Sequence, residues 1–147
     1  MVECRKIGTE EMPAIRELFA GVFTGEPWND DWSDGEQLDL YLEELVGQQN
    51  SLTYGLYEDG RMVGLSMGRM KHWYTGTEYY IDELCIRTDR QGTGLGTLFL
   101  QEIEHAIREA GMVQIFLQTS ADVPAYQFYR KNGFQELKGH VSFQKRI

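Results

Sequence analysis

The sequence predicts one α/β domain in which helices pack on a mixed sheet, and three observations support this fold class. The length of 147 residues suits a single domain, and 41% of the residues are hydrophobic, enough for a folded core. Strand-like runs alternate with helical periodicities in the order β–α–α–β–β–β–α–β–α–β, as expected for a layered fold. No internal repeat, low-complexity tract or linker interrupts the chain, so we expect one domain over residues 1–147.

The N-terminal third predicts a strand and two helices. Residues 1–8 suit a short strand, and Thr9 is the expected N-cap of a first helix, without the full capping box. Pro13 then falls in the first turn, where its missing N–H is tolerated. A turn-rich segment over residues 25–34 ends this helix, and a second helix is expected to end at Gly47.

The rest of the chain predicts five strands and two further helices. The Glu-Asp-Gly-Arg sequence at 58–61 indicates a hairpin. Helical periodicity begins at Gly94 and ends at Gly111, and a shorter helix is expected over Pro124–Arg130. The strands are expected at the apolar or aromatic runs Leu52–Tyr57, Met62–Met70, Tyr79–Ile86, Val113–Leu117 and Phe134–Lys145.

The formal net charge of −9 is confined to the first third of the chain. Residues 1–50 hold 12 acids and 3 bases, whereas residues 51–147 hold 11 of each. Nucleic acids and anionic membranes require a basic surface, so neither is an expected partner. The imbalance favours a cationic substrate instead. The alternative is that these acids belong to solvated helix faces.

Cysteine content and hydropathy point to a reduced cytoplasmic protein. Cys4 and Cys85 form no disulfide framework, and no Cys/His set has zinc spacing, so we expect no metal. No apolar run approaches the length of a membrane span, and the N-terminus has no signal-peptide pattern. We therefore expect a cytoplasmic location.

The sharpest motif is a glycine-rich segment between a predicted strand and a long helix, Gln91-Gly92-Thr93-Gly94-Leu95-Gly96. Glycines let the backbone approach a ligand, and the helix N-terminus attracts anions, so a diphosphate is the expected guest. Neither a Walker lysine nor the third glycine of a dinucleotide fingerprint is present. Four basic residues favour a phosphate ligand near this segment, unless they are ordinary surface charges: Arg87, Arg90, Arg130 and Lys131. A tight turn that caps the helix is the alternative.

Two adjacent carboxylates interrupt the apolar strand that precedes this loop. Asp82 and Glu83 lie between Ile81 and Leu84, although acids are depleted in strands. The period of two places Asp82 and Glu83 on opposite faces of the sheet. One interpretation is an acid at a sheet edge or paired with a buried arginine. The other is a cleft carboxylate whose raised pKa suits it to accept a proton.

A third motif places aromatic side chains on the last predicted helix. Tyr126 and Tyr129 are three residues apart and share a helix face. Phe128 and Phe134 suit the core, whereas a tyrosine hydroxyl directed into a cleft can donate a proton.

Together these motifs resemble the GNAT N-acetyltransferase superfamily. The resemblance rests on Gln91-x-x-Gly94-x-Gly96 and on Ala125-x-x-Phe128-Tyr129-x-Lys131-x-Gly133-Phe134, and it is dense over residues 79–134. It implies a single N-acetyltransferase domain with a mostly antiparallel mixed sheet, in which a splayed parallel strand pair forms the acetyl-CoA cleft. It also implies an acyltransferase that uses acetyl-CoA as cosubstrate and works by direct attack through a tetrahedral intermediate.

The resemblance also assigns the cofactor-binding residues. Pantetheine is expected along Leu84, Cys85 and Ile86, with the Leu84 amide as oxyanion donor. The diphosphate and neighbouring groups are expected on Gln91, Gly92, Thr93, Gly94, Leu95, Gly96, Thr97, Asp122, Tyr126 and Tyr129. Two residues depart from the family pattern: Asp122 replaces a frequent Asn, and Gln91 replaces a frequent Arg.

The catalytic residues follow from the resemblance and from the chemistry of amines. A primary amine with a pKa of about 10.4 is mostly protonated at neutral pH, so it must lose a proton before it attacks. The Asp82-Glu83 pair resembles the acidic pair of spermidine/spermine acetyltransferases, and we expect Asp82 as base or water-relay anchor, with Glu83 second. The resemblance further implies that Tyr129 protonates the departing thiolate.

The expected acceptor is a small cationic amine, such as a polyamine or an aminoglycoside-like compound. In this family the acceptor lies under the first two helices, where the negative charge of this chain is concentrated. Aromatic faces and carboxylates suit an organic cation. The expected contacts are Trp28, Asp30, Asp31, Trp32, Asp34, Tyr80 and Asp82. The alternative is a loop whose tryptophans pack back onto the core.

Two other functions stay open from the sequence. One is acetylation of protein N-termini or lysines, which are also cationic. The other is an acyl-CoA-binding sensor that has lost turnover. A homodimer is one assembly that the sequence allows, and neither nucleic acid nor a membrane is an expected partner.

Overall fold

The computed structural model describes residues 1–147, which form five strands and four α-helices. The strands are β1 Val2–Ile7, β2 Ser51–Glu58, β3 Arg61–Trp73, β4 Gly76–Ile86 and β5 Gln114–Leu117. The helices are α1 Met12–Phe23, α2 Gly35–Gly47, α3 Leu95–Glu109 and α4 Pro124–Lys131. None of these helices has both the length and the apolar composition needed to cross a lipid bilayer.

All five strands form one sheet in the order β1-β2-β3-β4-β5. Neighbouring strands are antiparallel except β4 and β5, which pair in parallel between residues 78–81 and 114–117. The expected mixed, mostly antiparallel sheet is therefore confirmed. One face of the sheet packs on α1 and α2, around Phe19 and Leu42, and the other packs on α3, around Phe99.

The first two helices begin by different means. Thr9 is not the N-cap that the sequence predicted. It lies in a 3₁₀ turn over residues 9–11, and α1 begins at Met12 without a side-chain cap, because the tight turn leads directly into the helix. By contrast, α2 has a side-chain N-cap. Asp34 accepts hydrogen bonds from the backbone amides of Glu36 and Gln37, both at 3.1 Å.

The expected final strand over Phe134–Lys145 is wrong, because the structure has no strand after β5. This segment turns at residues 138–139 and runs beside β5 across a cavity of about 600 Å³. Gln118 Nε2 donates to Ser142 Oγ at 3.2 Å across the gap. Phe134 packs on Tyr129, but without a paired edge the later strand-like side chains stay in solvent, and Phe143 is 94% exposed. Residue type alone does not make a strand when no neighbouring strand pairs with it.

A β-bulge interrupts β4 at Asp82. Met67 on β3 opposes Glu83, while the next residue of β3 opposes Ile81, so Asp82 is the additional residue. Ile81 and Leu84 consequently both pack toward α3, although they are three residues apart. The expectation that Asp82 and Glu83 lie on opposite faces is therefore wrong, because the bulge shifts the alternation by one residue.

Replacing the cap of α2 tests the role that the structure gives to Asp34. Asp34→Ala is expected to lower the free energy of unfolding by about 1 kcal/mol, because two amides lose their acceptor. The thermal midpoint, measured by circular dichroism, should fall by roughly 2–4 °C. Asp34→Ser retains a capping oxygen and should keep most of the stability. An unchanged midpoint in Asp34→Ala would contradict the capping role.

Candidate active site

The parallel pairing of β4 and β5 stops in the middle of β4, and a cavity opens at that point. β5 ends at Leu117, opposite Ile81, whereas β4 continues to Ile86. The cavity has a volume of about 360 Å³ and lies between the end of β4, residues 118–120, the α1–α2 connection and α4. It therefore lies beyond the carboxyl end of β5 and beside the unpaired part of β4, at the edge of the sheet where open α/β sheets bind ligands.

Six residues that the sequence singled out border this cavity together. They come from three parts of the chain: Trp28 and Asp30 from the α1–α2 connection, Asp82, Glu83 and Leu84 from β4, and Tyr129 from α4. The cavity thus joins side chains that the sequence presented as separate motifs.

Asp82 lies in an ion pair. Arg69 Nη1 is 3.2 Å from Oδ1 and 3.1 Å from Oδ2 of Asp82. The same guanidinium group lies 4.2 Å from the centroid of the Tyr80 ring. Burial raises the pKa of Asp82, and the charge and hydrogen bonds of Arg69 oppose that change. This is the arginine-paired arrangement that the sequence left open.

Glu83 is more deeply buried than Asp82, and its partner is neutral. Its Oε2 accepts a hydrogen bond from the hydroxyl of Tyr41 on α2. Burial raises the pKa of Glu83 to about 7; the Tyr41 hydrogen bond opposes this change, and the negative charges of Asp30 and Asp82 add to it. A carboxylate with this pKa is suited to exchange a proton near neutral pH.

Helix α4 directs Tyr129 to the wall of the same cavity. Its ring centroid lies 5.4 Å from that of Phe128 and 5.2 Å from that of Phe134. Burial raises the pKa of Tyr129, and the neighbouring Cys85 and Glu83 raise it further. The phenol therefore keeps its proton at neutral pH, as a proton donor must.

The free edge of β4 presents backbone amides on the side that β5 has left. The amide of Arg87 donates to the Val63 carbonyl of β3 at 2.7 Å, and the direction of the amides alternates along a strand. The amides of Leu84 and Ile86 therefore face away from β3. An amide at this position can donate to a ligand carbonyl oxygen.

The glycine loop turns its own side chains inward, and apart from the amide of Gln91, which donates to the Thr88 carbonyl at 3.4 Å, its amides have no partner. Gln91 Nε2 and Thr93 Oγ1 donate to backbone carbonyls at 2.9 and 2.6 Å. Gly92 and Gly94 have φ values of 73° and 87°, which glycine tolerates, and a Cβ at either position would meet nothing within 4 Å. Helix α3 begins at Leu95 without a side-chain cap, so its first amides have no partner. This helix start fits the diphosphate of coenzyme A.

The arginines beside the loop are paired with acids. Arg87 bonds Asp89 at 2.8 and 3.0 Å, and Arg90 bonds Glu58 at 2.7 and 2.6 Å. These pairs hold the ends of the loop in place. With these two arginines paired, the donors that the loop itself offers to an anion are its backbone amides.

Other residues that the sequence assigned to the acceptor or the cofactor do not border the cavity. They are Asp31, Trp32, Asp34, Tyr80, Cys85, Ile86, Asp122, Tyr126 and the loop residues 91–97. Asp31 accepts a hydrogen bond from a backbone amide at 3.0 Å, and Trp32 packs on the α1–α2 core, as the alternative interpretation held. The hydroxyl of Tyr126 accepts a hydrogen bond from Arg130 at 3.2 Å, and Asp122 is exposed.

Two features of the site carried no assignment from the sequence: the residues that follow β5 at the cavity, and Tyr41 behind Glu83. Residues 118–120 line the cavity with amide and hydroxyl side chains. Their position directly after a predicted buried strand was a usable signal. Tyr41, which bonds Glu83, was missed because an aromatic residue on an amphipathic helix normally indicates core.

Comparison with family models identifies the class of protein that this fold and cavity define. The acetyltransferase (GNAT) family model matches residues 12–134, so the chain belongs to this family. The resemblance drawn from the motifs is thereby confirmed, as is the expected enzyme class. Mycothiol acetyltransferase of Rhodococcus jostii (strain RHA1) is 24% identical over 143 residues, 94% of this chain and 47% of that protein. The chain thus spans about half the length of the curated relatives it matches.

Solved structures share the fold over nearly the whole chain. An aminoglycoside acetyltransferase from an uncultured soil metagenomic sample, solved with sisomicin, has a TM-score of 0.76 at 21% identity, covering 99% of this chain and 96% of that one. AAC(6')-Iy, solved with a CoA-acetylneamine bisubstrate analogue, has a TM-score of 0.76 at 15% identity, covering 100% and 99%. At these identities the likeness establishes the fold.

A matched pair of glycine substitutions tests the loop. Gly94→Ala and Gly111→Ala each force a side chain into positive φ, 87° and 82°, where a Cβ has open space. Both should lose about 1–2 kcal/mol of stability. Only Gly94→Ala should weaken coenzyme A binding, by about tenfold in calorimetry, because it alone disturbs the loop amides. Equal affinities in the two variants would contradict the assignment of the loop.

Proposed function

We propose that the protein is an acetyl-CoA-dependent N-acetyltransferase that acetylates a primary amine of a small cationic acceptor, such as a polyamine or an aminoglycoside-like compound. The observation that carries this proposal is the cavity at the end of the β4–β5 pairing. Around it lie Glu83, whose pKa burial raises to about 7, Tyr129, whose pKa burial also raises, and the outward amide of Leu84. Acylation of an amine requires a proton acceptor, a proton donor and an oxyanion donor.

Glu83 is the proposed base in preference to Asp82. Asp82 already pairs with the fixed charge of Arg69, which disfavours its taking up a proton. Glu83 has a neutral partner and a pKa of about 7. The attacking nitrogen becomes strongly acidic as its bond to the carbonyl carbon forms. A carboxylate of this strength is therefore basic enough to take the nitrogen's proton at that stage.

The remaining residues complete the proton balance. Bound acetyl-CoA supplies the acetyl group as an activated thioester. The amine attacks in its neutral form, after it has released one proton to solvent. Glu83 then accepts a second proton from the nitrogen that bonds to the carbonyl carbon, and Tyr129 donates its proton to the sulfur as the carbon–sulfur bond breaks. The Leu84 amide stabilises the negative charge that develops on the carbonyl oxygen. Tyr129 regains its proton from solvent, and Glu83 releases its proton there.

Three observations support a cationic acceptor. The first 50 residues carry the whole net charge of −9. Asp30 and Trp28 border the cavity beside the acid pair, and Trp28 packs on Phe23 with ring centroids 5.6 Å apart. A carboxylate next to an indole suits an organic cation. Two structures of the same fold were solved with aminoglycoside-type ligands.

The decisive experiment is a panel of amines assayed for release of the coenzyme A thiol from acetyl-CoA. The panel contains polyamines, aminoglycosides, neutral amino sugars and lysine peptides. Turnover that favours the small cations supports the proposal. Turnover of the lysine peptides alone would contradict a small-molecule acceptor and indicate a protein acetyltransferase. Binding of coenzyme A without turnover of any amine would contradict an enzymatic function and indicate an acyl-CoA sensor.

Amide substitutions separate the two acids of β4. Glu83→Gln is expected to lower kcat by a factor of about 10²–10⁴, the usual effect of removing a general base. Asp82→Asn should lower it less, because that carboxylate is held by Arg69. Initial rates with the best amine of the panel measure both, and acetyl-CoA affinity serves as the control for an intact cleft. A larger decrease in kcat for Asp82→Asn than for Glu83→Gln would indicate that Asp82, and not Glu83, is the base.

The pH dependence of kcat/KM reports the ionisation of the base. Below its pKa Glu83 carries a proton and cannot accept another, so kcat/KM should fall about tenfold per pH unit below about pH 7. The acceptor amine also ionises, so the profile is measured with two acceptors whose amine pKa values differ. A decline that depends on the acceptor moves between the two profiles, whereas the decline caused by Glu83 falls at the same pH in both. Asp82→Asn should retain the decline common to both acceptors. Its absence from the wild-type profile would contradict the assignment of Glu83.

A further inference from the structure

Helix α2 reaches the candidate active site through one side chain, Tyr41. Its hydroxyl donates a hydrogen bond to Glu83 Oε2, across 42 residues of sequence. The Tyr41 ring stacks on Trp32, with centroids 5.2 Å apart and planes at 19°, and it contacts Phe19 at a centroid distance of 5.9 Å. Phe19 and Trp32 also contact each other, with ring centroids 5.7 Å apart, so the three rings form one cluster that anchors the Tyr41 ring.

The surroundings of Glu83 leave this hydroxyl as its stabilising partner. The groups that act on Glu83 from each neighbouring element are Asp30 of the α1–α2 connection, Asp82 and Cys85 of β4, Tyr129 of α4 and Tyr41 itself. Arg69, the cation beside Asp82, is engaged by that residue. Two like charges and a buried setting disfavour the ionised carboxylate, and only the donor on α2 favours it.

We propose that Tyr41 is a positioning residue, whose hydroxyl holds the carboxylate of Glu83 in the ionised form and in one orientation, ready to accept the proton of the amine. This inference rests on the proposed function, because it takes Glu83 as the base. Tyr41 does not border the cavity, so it acts through Glu83 and not on the acceptor.

The same geometry gives Trp32 a role that differs from the one the sequence suggested. Trp28 borders the cavity, whereas Trp32, four residues later, packs on Phe19 and Tyr41. Trp32 therefore packs on the ring that holds the base and lies outside the cavity lining. The α1–α2 connection thus contributes to the acceptor wall at one end and to the orientation of the base at the other.

Tyr41→Phe tests the proposal, since it removes the donor and keeps the ring stack. Loss of a hydrogen bond to the ionised form raises the pKa of Glu83, so the acid limb of kcat/KM should move up by about one pH unit. Activity at pH 6.5 should then fall by about eightfold, while activity at pH 9 should stay within about twofold of wild type. Tyr54→Phe removes a phenol oxygen from the α3 side of the sheet and should leave the profile unchanged.

A direct titration makes the test independent of turnover. The side-chain carboxyl carbon of Glu83 can be followed by nuclear magnetic resonance in protein labelled with ¹³C in glutamate, assigned by its disappearance in Glu83→Gln. The midpoint should rise by about one unit in Tyr41→Phe and not in Tyr54→Phe. If the midpoint shifts but the protein acetylates no amine, the proposed function is rejected and the effect of the Tyr41 hydrogen bond on Glu83 still stands. A uniform loss of activity at every pH, or an unmoved midpoint, overturns the positioning role.

Discussion

The candidate site depends on one change in strand pairing: β5 leaves β4 while β4 continues. Parallel pairing ends at residues 81 and 117, and β4 runs on to Ile86 with one edge free. Backbone amides in a folded protein pair with an acceptor or with water, so this edge can pair with a hydrogen-bonding guest. The same separation makes room for the cavity and brings α4 and the α1–α2 connection to its walls. The cavity, the outward Leu84 amide and the position of Tyr129 all follow from this separation.

The bulge in β4 determines how two adjacent carboxylates are used. Without an additional residue, Asp82 and Glu83 would point to opposite faces of the sheet. With it, both border one cavity. Their environments then diverge, because Arg69 neutralises Asp82 while Glu83 has only the neutral hydroxyl of Tyr41. The same chemical group is thus paired at one position and exchanges its proton near neutral pH at the next.

The sequence predicted those features that local rules decide. Glycine spacing and the strand–loop–helix order located the glycine loop before α3. The aromatic helix offered both Tyr126 and Tyr129, and the family resemblance selected Tyr129, which borders the cavity. The bulge at Asp82 could not be predicted from the sequence, because it is defined by how β4 pairs with β3. The final strand failed because pairing with a neighbour, and not side-chain type, makes a strand. Tyr41 was missed because its partner is 42 residues away in sequence.

The acidic first third of the chain acts on the site mainly through its electric field. Many of its acids are occupied locally: Asp34 caps α2, and Asp39 accepts a hydrogen bond from Arg16 Nε at 2.6 Å. Asp30 borders the cavity, and its charge raises the pKa of Glu83. A cationic acceptor beside both carboxylates has the opposite effect, because positive charge favours the ionised form.

In the proposed reaction the acceptor's own charge therefore converts Glu83 into the form that accepts a proton. Acetylation removes the charge of the reacting amine, so the product is held less strongly than the substrate. A neutral or anionic acceptor brings no such charge and meets a base that is protonated for a larger share of the time. Selection for cations then arises in the chemical step as well as in attraction to an acidic surface.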